Sequence, residues 1–74
     1  MTRAEMLNAL RADIDILAQA EETSVLAAMP GWDSLAILLV VSHCDHVHDL
    51  EVRGPRIRGC RTVGDLLDLI QSLT

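Results

Sequence analysis

Apolar residues recur every three or four positions through the first part of the chain, at Leu7, Leu10, Ile14 and Leu17, with Met6 beside them. That spacing predicts an amphipathic helix. Thr2 and Glu5 frame its start as a capping box, in which each side chain can satisfy a free backbone amide of the other. Arg11, Asp13 and Asp15 fall on the opposite face, and the helix is expected to run to about residue 19. A polar connection, Glu21 to Asp33, follows and is broken at Pro30-Gly31. Leu26 and Met29 within it predict that this loop docks back on the core.

A second helix is expected from Asp33-Ser34 to Leu50, with Asp33 as its N-cap. The stretch Leu35 to Val41 is apolar on every face. Such a helix is either central or offers an apolar face to a partner. The next connection, Glu51 to Arg61, carries Gly54-Pro55 and Gly59, which limit any helix there to one short turn. Val52 and Ile57 are its expected anchors. Thr62, with Asp65 three residues on, caps a last helix whose stripe is Val63, Leu66, Leu67, Ile70 and Leu73. No strand or hairpin signal competes. The pattern predicts an all-α fold, a small antiparallel helical bundle with three longer helices and one short or irregular segment, in a single domain over residues 1–74.

Composition narrows the function classes. The chain has 74 residues, a formal net charge of -5, six arginines, no lysine, and Trp32 as its only aromatic. The basic excess and stacking platforms of a nucleic-acid binder are missing. The longest apolar run is too short to span a bilayer, and the polar start offers no signal-peptide core. A soluble, monomeric protein of the cytoplasm is expected, with neither nucleic acid nor membrane as a partner. A domain this small has little stability to spare for a deep, water-excluded pocket. A binding, carrier or adaptor role without catalytic residues is therefore favoured over an enzyme. Cys44 and Cys60 are expected to be small buried thiols rather than a disulfide framework.

Chemistry concentrates in Pro30-Gly-Trp-Asp-Ser-Leu-Ala36. Ser34 directly follows a capping aspartate, at the first position of a helix. Backbone amides there are unpaired and the helix dipole is positive, so an anion on the serine oxygen would meet free donors. A catalytic serine would need a positioned base. The nearest histidine, His43, lies about 13 Å further along the same helix.

Asp33-Ser34-Leu35, in the form Trp32-Asp-Ser-Leu-Ala36, resembles the attachment motif of the acyl carrier protein family, the phosphopantetheine-binding four-helix domains of fatty-acid, polyketide and nonribosomal peptide synthesis. Ser24-Val-Leu26 with Met29-Pro-Gly31 is similar to the family's preceding loop. Thr62-Val-Gly-Asp-Leu-Leu-Asp-Leu-Ile70 is similar to its last helix. The resemblance covers nearly the whole chain and implies a four-helix bundle of acyl-carrier type. It implies that a phosphopantetheinyl transferase attaches 4′-phosphopantetheine, taken from coenzyme A, to Ser34. It implies further that acyl-loading and acyl-processing enzymes act on a thioester cargo. Trp32, Leu35, Leu38 and Leu39 are the candidate partner-binding residues; the alternatives are shielding of the arm or loop packing for Trp32, and a cargo tunnel or ordinary core for Leu35 and Leu38. A peptidyl or aminoacyl carrier, and an unmodified helical interaction module, remain the alternatives.

Charge is placed differently from the family's pattern. Family members present acids along the second helix. Here its outward positions read as Ala36, Leu39, Ser42 and His46, with only Asp45 and Asp49 acidic, while the following segment holds Arg53, Arg56, Arg58 and Arg61. Those arginines are either solvated and paired with Asp49, Glu51 or Asp65, or a docking patch for an acidic partner or a phosphate. His43, Cys44, His46 and His48 invite a metal reading, but one continuous helix does not supply four ligands, so no metal is expected. The expected alternative is a partly exposed polar half-helix with Cys44 and Val47 inward.

Overall fold

Four α-helices carry the chain in the computed structural model, which describes all 74 residues: α1 (Arg3–Asp13), α2 (Ser34–His48), α3 (Gly54–Arg58) and α4 (Val63–Leu73). The fold is all-α. Its only strand-like feature is an isolated antiparallel bridge between Val25 and Thr62.

Three of the helices begin where a side chain closes their first turn. Thr2 accepts from the Glu5 amide at 3.2 Å while Glu5 accepts from the Thr2 amide at 2.7 Å. Asp33 accepts from the Ala36 amide at 3.1 Å. Thr62 and Asp65 repeat the reciprocal box at the start of α4. Each contact satisfies amides that have no partner within the helix.

Helix α1 stops at Asp13, well short of the expected residue 19, because Ile14 turns to an extended conformation (φ -121°, ψ 110°). A 3-10 turn, Asp15–Leu17, follows. Ile14, Leu17 and Ala20 are nevertheless buried. Residues three apart stack on one side of a 3-10 turn as they do on an α-helix, so the apolar spacing does not distinguish the two. Helix α2 ends at His48 rather than Leu50. Asp49 takes the left-handed conformation (φ 54°) and its amide bonds the Asp45 carbonyl at 3.1 Å, while the Leu50 amide bonds that of Cys44 at 3.0 Å. Aspartate is among the few residues that tolerate this geometry.

The two connections are tied to each other and to α4. Leu26 donates to the Arg61 carbonyl, Val63 to that of Ser24, and Gly64 to that of Glu22, at 2.8–3.0 Å. A Cβ on Gly64 would lie 3.0 Å from the Glu22 carbonyl oxygen, so this close approach favours glycine. Arg3 closes the same seam from α1. Its guanidinium donates to Glu22, Asp68 and Gln71 side chains at 2.7 Å and to the Gly64 carbonyl at 2.9 Å. Arg11 similarly holds the end of the first connection, donating to the Ala20 carbonyl and pairing with Glu21. Gly31 (φ 85°) makes the turn into α2 and faces the Ile16 side chain.

One cluster of 16 buried residues forms the core. It takes Met6, Leu7 and Leu10 from α1, Ile37, Val40 and Cys44 from α2, and Val63, Leu66, Leu67 and Ile70 from α4. Leu26, Val52 and Ile57 anchor the connections and α3 as expected, and Met29 packs against the cluster. Leu73, expected in the α4 stripe, is exposed at the end of the chain.

Ile57 is the sole fully buried side chain of the five-residue α3. Ile57→Val is expected to cost about 1 kcal/mol and Ile57→Ala about 2–5 kcal/mol. Urea unfolding monitored by circular dichroism checks both, and the larger loss rivals the whole stability of a domain this small.

Candidate functional site

Ser34 occupies the first position of α2 and is exposed. Its location follows from Asp33, which holds extended backbone (φ -144°, ψ -169°) and fixes the first turn through the Ala36 amide. The Ile37 amide bonds the Asp33 carbonyl at 3.0 Å, and the amides of Ser34 and Leu35 have no partner within the protein. The serine oxygen thus sits at the positive end of a 15-residue helix, beside two free donors.

A second element reaches this oxygen. The Arg58 guanidinium donates from Nη2 to Ser34 Oγ at 3.1 Å, bringing the end of α3 against the start of α2. The serine's side-chain partner is therefore a permanently charged donor with no acceptor site, not a histidine. The arginine-rich composition of the segment marks it, but nothing in the sequence selects Arg58 from its three neighbours for this contact.

Beyond Ser34, α2 divides cleanly. Ala36, Ile37, Val40, His43 and Cys44 face inward, and Leu35, Leu38 and Leu39 face outward, 65%, 61% and 45% exposed. Ala36, expected on the surface, is buried, because it lies on the inner arc with Val40 and His43. Trp32 is half-buried and packs against the core beside the helix start. Ser34, Asp33 and the three leucines are thus brought onto one end and one face of α2, with Trp32 at its base.

The second half of α2 departs from the expected polar, partly exposed surface. His43 is 1% exposed and its Nδ1 lies 2.7 Å from Asp13 Oδ2, a contact that the early end of α1 makes possible. The His43 and His48 rings meet edge to face with centroids 5.5 Å apart. The Nε2 atoms of both are buried without a hydrogen-bond partner. His46 lies outside this pair on the exposed face, and Val47, expected inward, is exposed near the end of the helix. Cys44 is fully buried as expected, its thiol pushed up to about 11 by burial, while Cys60 is half-buried; both thiols are free.

The remaining arginines divide by role. Arg53 makes a long ion pair with Glu51, 3.7 Å, with both side chains highly exposed. Arg56 lines an open groove between α3 and α4, together with Cys60, Asp65, Asp68 and Leu69. No helix is long and apolar enough to cross a membrane. No family model, curated protein or solved structure matches the chain.

Two outcomes follow from this geometry. Asp33→Ala is expected to cost about 0.5–2 kcal/mol, read in urea unfolding, with the loss of amide-exchange protection confined first to the opening turn of α2. Burial, and next the neighbouring His43 ring, hold His48 below its ordinary value. A histidine depressed on folding contributes stability that is present above its unfolded value, about 6.5, and is lost as the pH falls below it. The urea midpoint should therefore drop between about pH 7.5 and about pH 5.5, and His48→Gln should flatten that drop.

Proposed function

We propose that the protein is an acyl carrier: Ser34 accepts 4′-phosphopantetheine from coenzyme A, and partner enzymes load and process an acyl cargo on it. The observation that carries this reading is an exposed serine hydroxyl at the first position of a capped helix, followed on the same face by three exposed leucines.

The residues around Ser34 suit a phosphodiester. The ester would hold one negative charge, and the free amides of Ser34 and Leu35 and the Arg58 guanidinium supply donors of the matching sign. When bound, the arm supplies the terminal thiol on which an acyl group is held as a thioester. The chain's own contribution is to fix the serine oxygen in an accessible place. Asp33 sets the helix start, the core holds the opposite side of α2, and the absence of a base on Ser34 leaves activation to the transferase. Burial raises both cysteine thiols of the chain, Cys44 to about 11, which disfavours their thiolate forms.

The outward face of α2 is where loading and processing enzymes would dock, through Leu35, Leu38 and Leu39, with Trp32 supporting the turn beneath them. The arrangement belongs to the acyl-carrier type of four-helix bundle in this reading, with α3 as the short helix.

Incubation with coenzyme A and a broad-specificity phosphopantetheinyl transferase, followed by intact-mass measurement, tests the proposal. The protein should gain the mass of one phosphopantetheinyl group, and Ser34→Ala should gain none. An unchanged mass, or a gain that persists in Ser34→Ala, overturns it.

A further inference from the structure

The exposed arc of α2 carries Ser34, Leu35, Leu38, Leu39, Ser42, Asp45 and His46. No acid lies on it between Ser34 and Asp45, a separation of about 16 Å along the helix axis. The Asp33 carboxylate just before it is engaged in capping. The element beside this arc is basic. Between Asp49 and Asp65 the chain has four arginines and one acid, Glu51. Arg58, the one arginine that bonds α2, has no carboxylate within ion-pair distance. Arg3 and Arg11, by contrast, are consumed by Glu22, Asp68 and Glu21. A chain of net charge -5 thus presents an apolar face with an unpaired arginine, Arg58, at its Ser34 end and its first acid, Asp45, about 16 Å away.

From this we infer that the Leu35–Leu38–Leu39 face is a docking surface for a protein partner that sets a carboxylate beside an apolar contact, so that the carboxylate meets Arg58 while the leucines are desolvated. The inference rests on the carrier reading for the partner's role, but not for the existence of the face. Charge complementarity selects this occupant. A basic partner would be drawn to the acidic remainder of the molecule and would meet Arg58 with like charge, which is how wrong partners are rejected. An anionic bilayer would repel a body of net charge -5, and the face has no exposed aromatic ring to anchor it at an interface.

The discriminating probe is a pair of synthetic amphipathic helical peptides with the same leucine stripe, one flanked by glutamate and the other by lysine. Each is titrated into the unmodified protein at low salt, with Trp32 fluorescence and calorimetry as readouts. The glutamate peptide should bind about tenfold tighter or more, against the direction set by total charge, and added salt should erode the difference. Leu38→Ser should weaken it by about fivefold or more, and Arg58→Glu should abolish the preference for glutamate. Both side chains are exposed, and circular dichroism establishes that the variants fold. Equal or tighter binding of the lysine peptide, binding of neither, or indifference to Leu38→Ser overturns the inference. So does a dimer in sedimentation that Leu38→Ser dissolves, which makes a second copy the occupant, or flotation with phosphatidylserine vesicles, which makes it a lipid surface. Because the unmodified protein is used, failure here is separate from failure of phosphopantetheine transfer to Ser34, which the mass measurement reads on its own.

Discussion

Helix α2 has more apolar surface than the protein has core to receive it. Within 28 × 23 × 18 Å, one side of the helix meets α1, α3 and the shared core, and the other side has only water. Burial therefore selects Ile37, Val40 and Cys44, and leaves Leu35, Leu38 and Leu39 outside. Three large exposed leucines within five residues are costly to keep on a small protein unless something covers them at times. The surroundings of Ser34 and His43 follow from this division. It puts Ser34 at the edge of an apolar face, and puts His43 in the core.

The supporting scaffold is built from short-range devices joined by a few long-range ones. Capping boxes at Thr2 and Thr62 and the Asp33 cap decide where three helices begin. Arg3 then joins the start of α1 to Glu22, Gly64, Asp68 and Gln71, and the backbone bonds between the two connections run beside it. The ion pairs in this seam are partly exposed and individually modest. The Gly64 carbonyl and amide at their centre, however, give the seam a fixed geometry that long polar side chains alone would not. The same division of labour holds at the candidate site, where a local cap sets Ser34 and the distant Arg58 meets its oxygen.

Buried His43 and half-buried His48 show what a small core accepts when its helix sequence is under another demand. His43 has one ring nitrogen satisfied by Asp13, and the other faces no partner, as does Nε2 of His48. An apolar residue at either place would avoid that cost. The early end of α1 and the burial of His43 belong together, since Asp13 is the last residue of α1 and the partner of His43 Nδ1.

Helix starts, the short α3, the docking of Leu26 and Met29, and the core stripe of α4 up to Ile70 were determined by sequence alone. Caps, Gly-Pro breaks and three-to-four-residue apolar periods act within a few residues and need no knowledge of the rest of the chain. Other features were decided only by tertiary structure. Apolar spacing cannot say where α1 gives way to a 3-10 turn, because both conformations bury Ile14 and Leu17. A helix apolar all round gives no phase, so the burial of Ala36 and the exposure of Val47 waited on what α2 packs against. The contacts of His43 with Asp13 and of Arg58 with Ser34 join residues 30 and 24 positions apart. Such pairings leave no periodic trace in sequence; they exist because the packed helices bring those positions within hydrogen-bond reach.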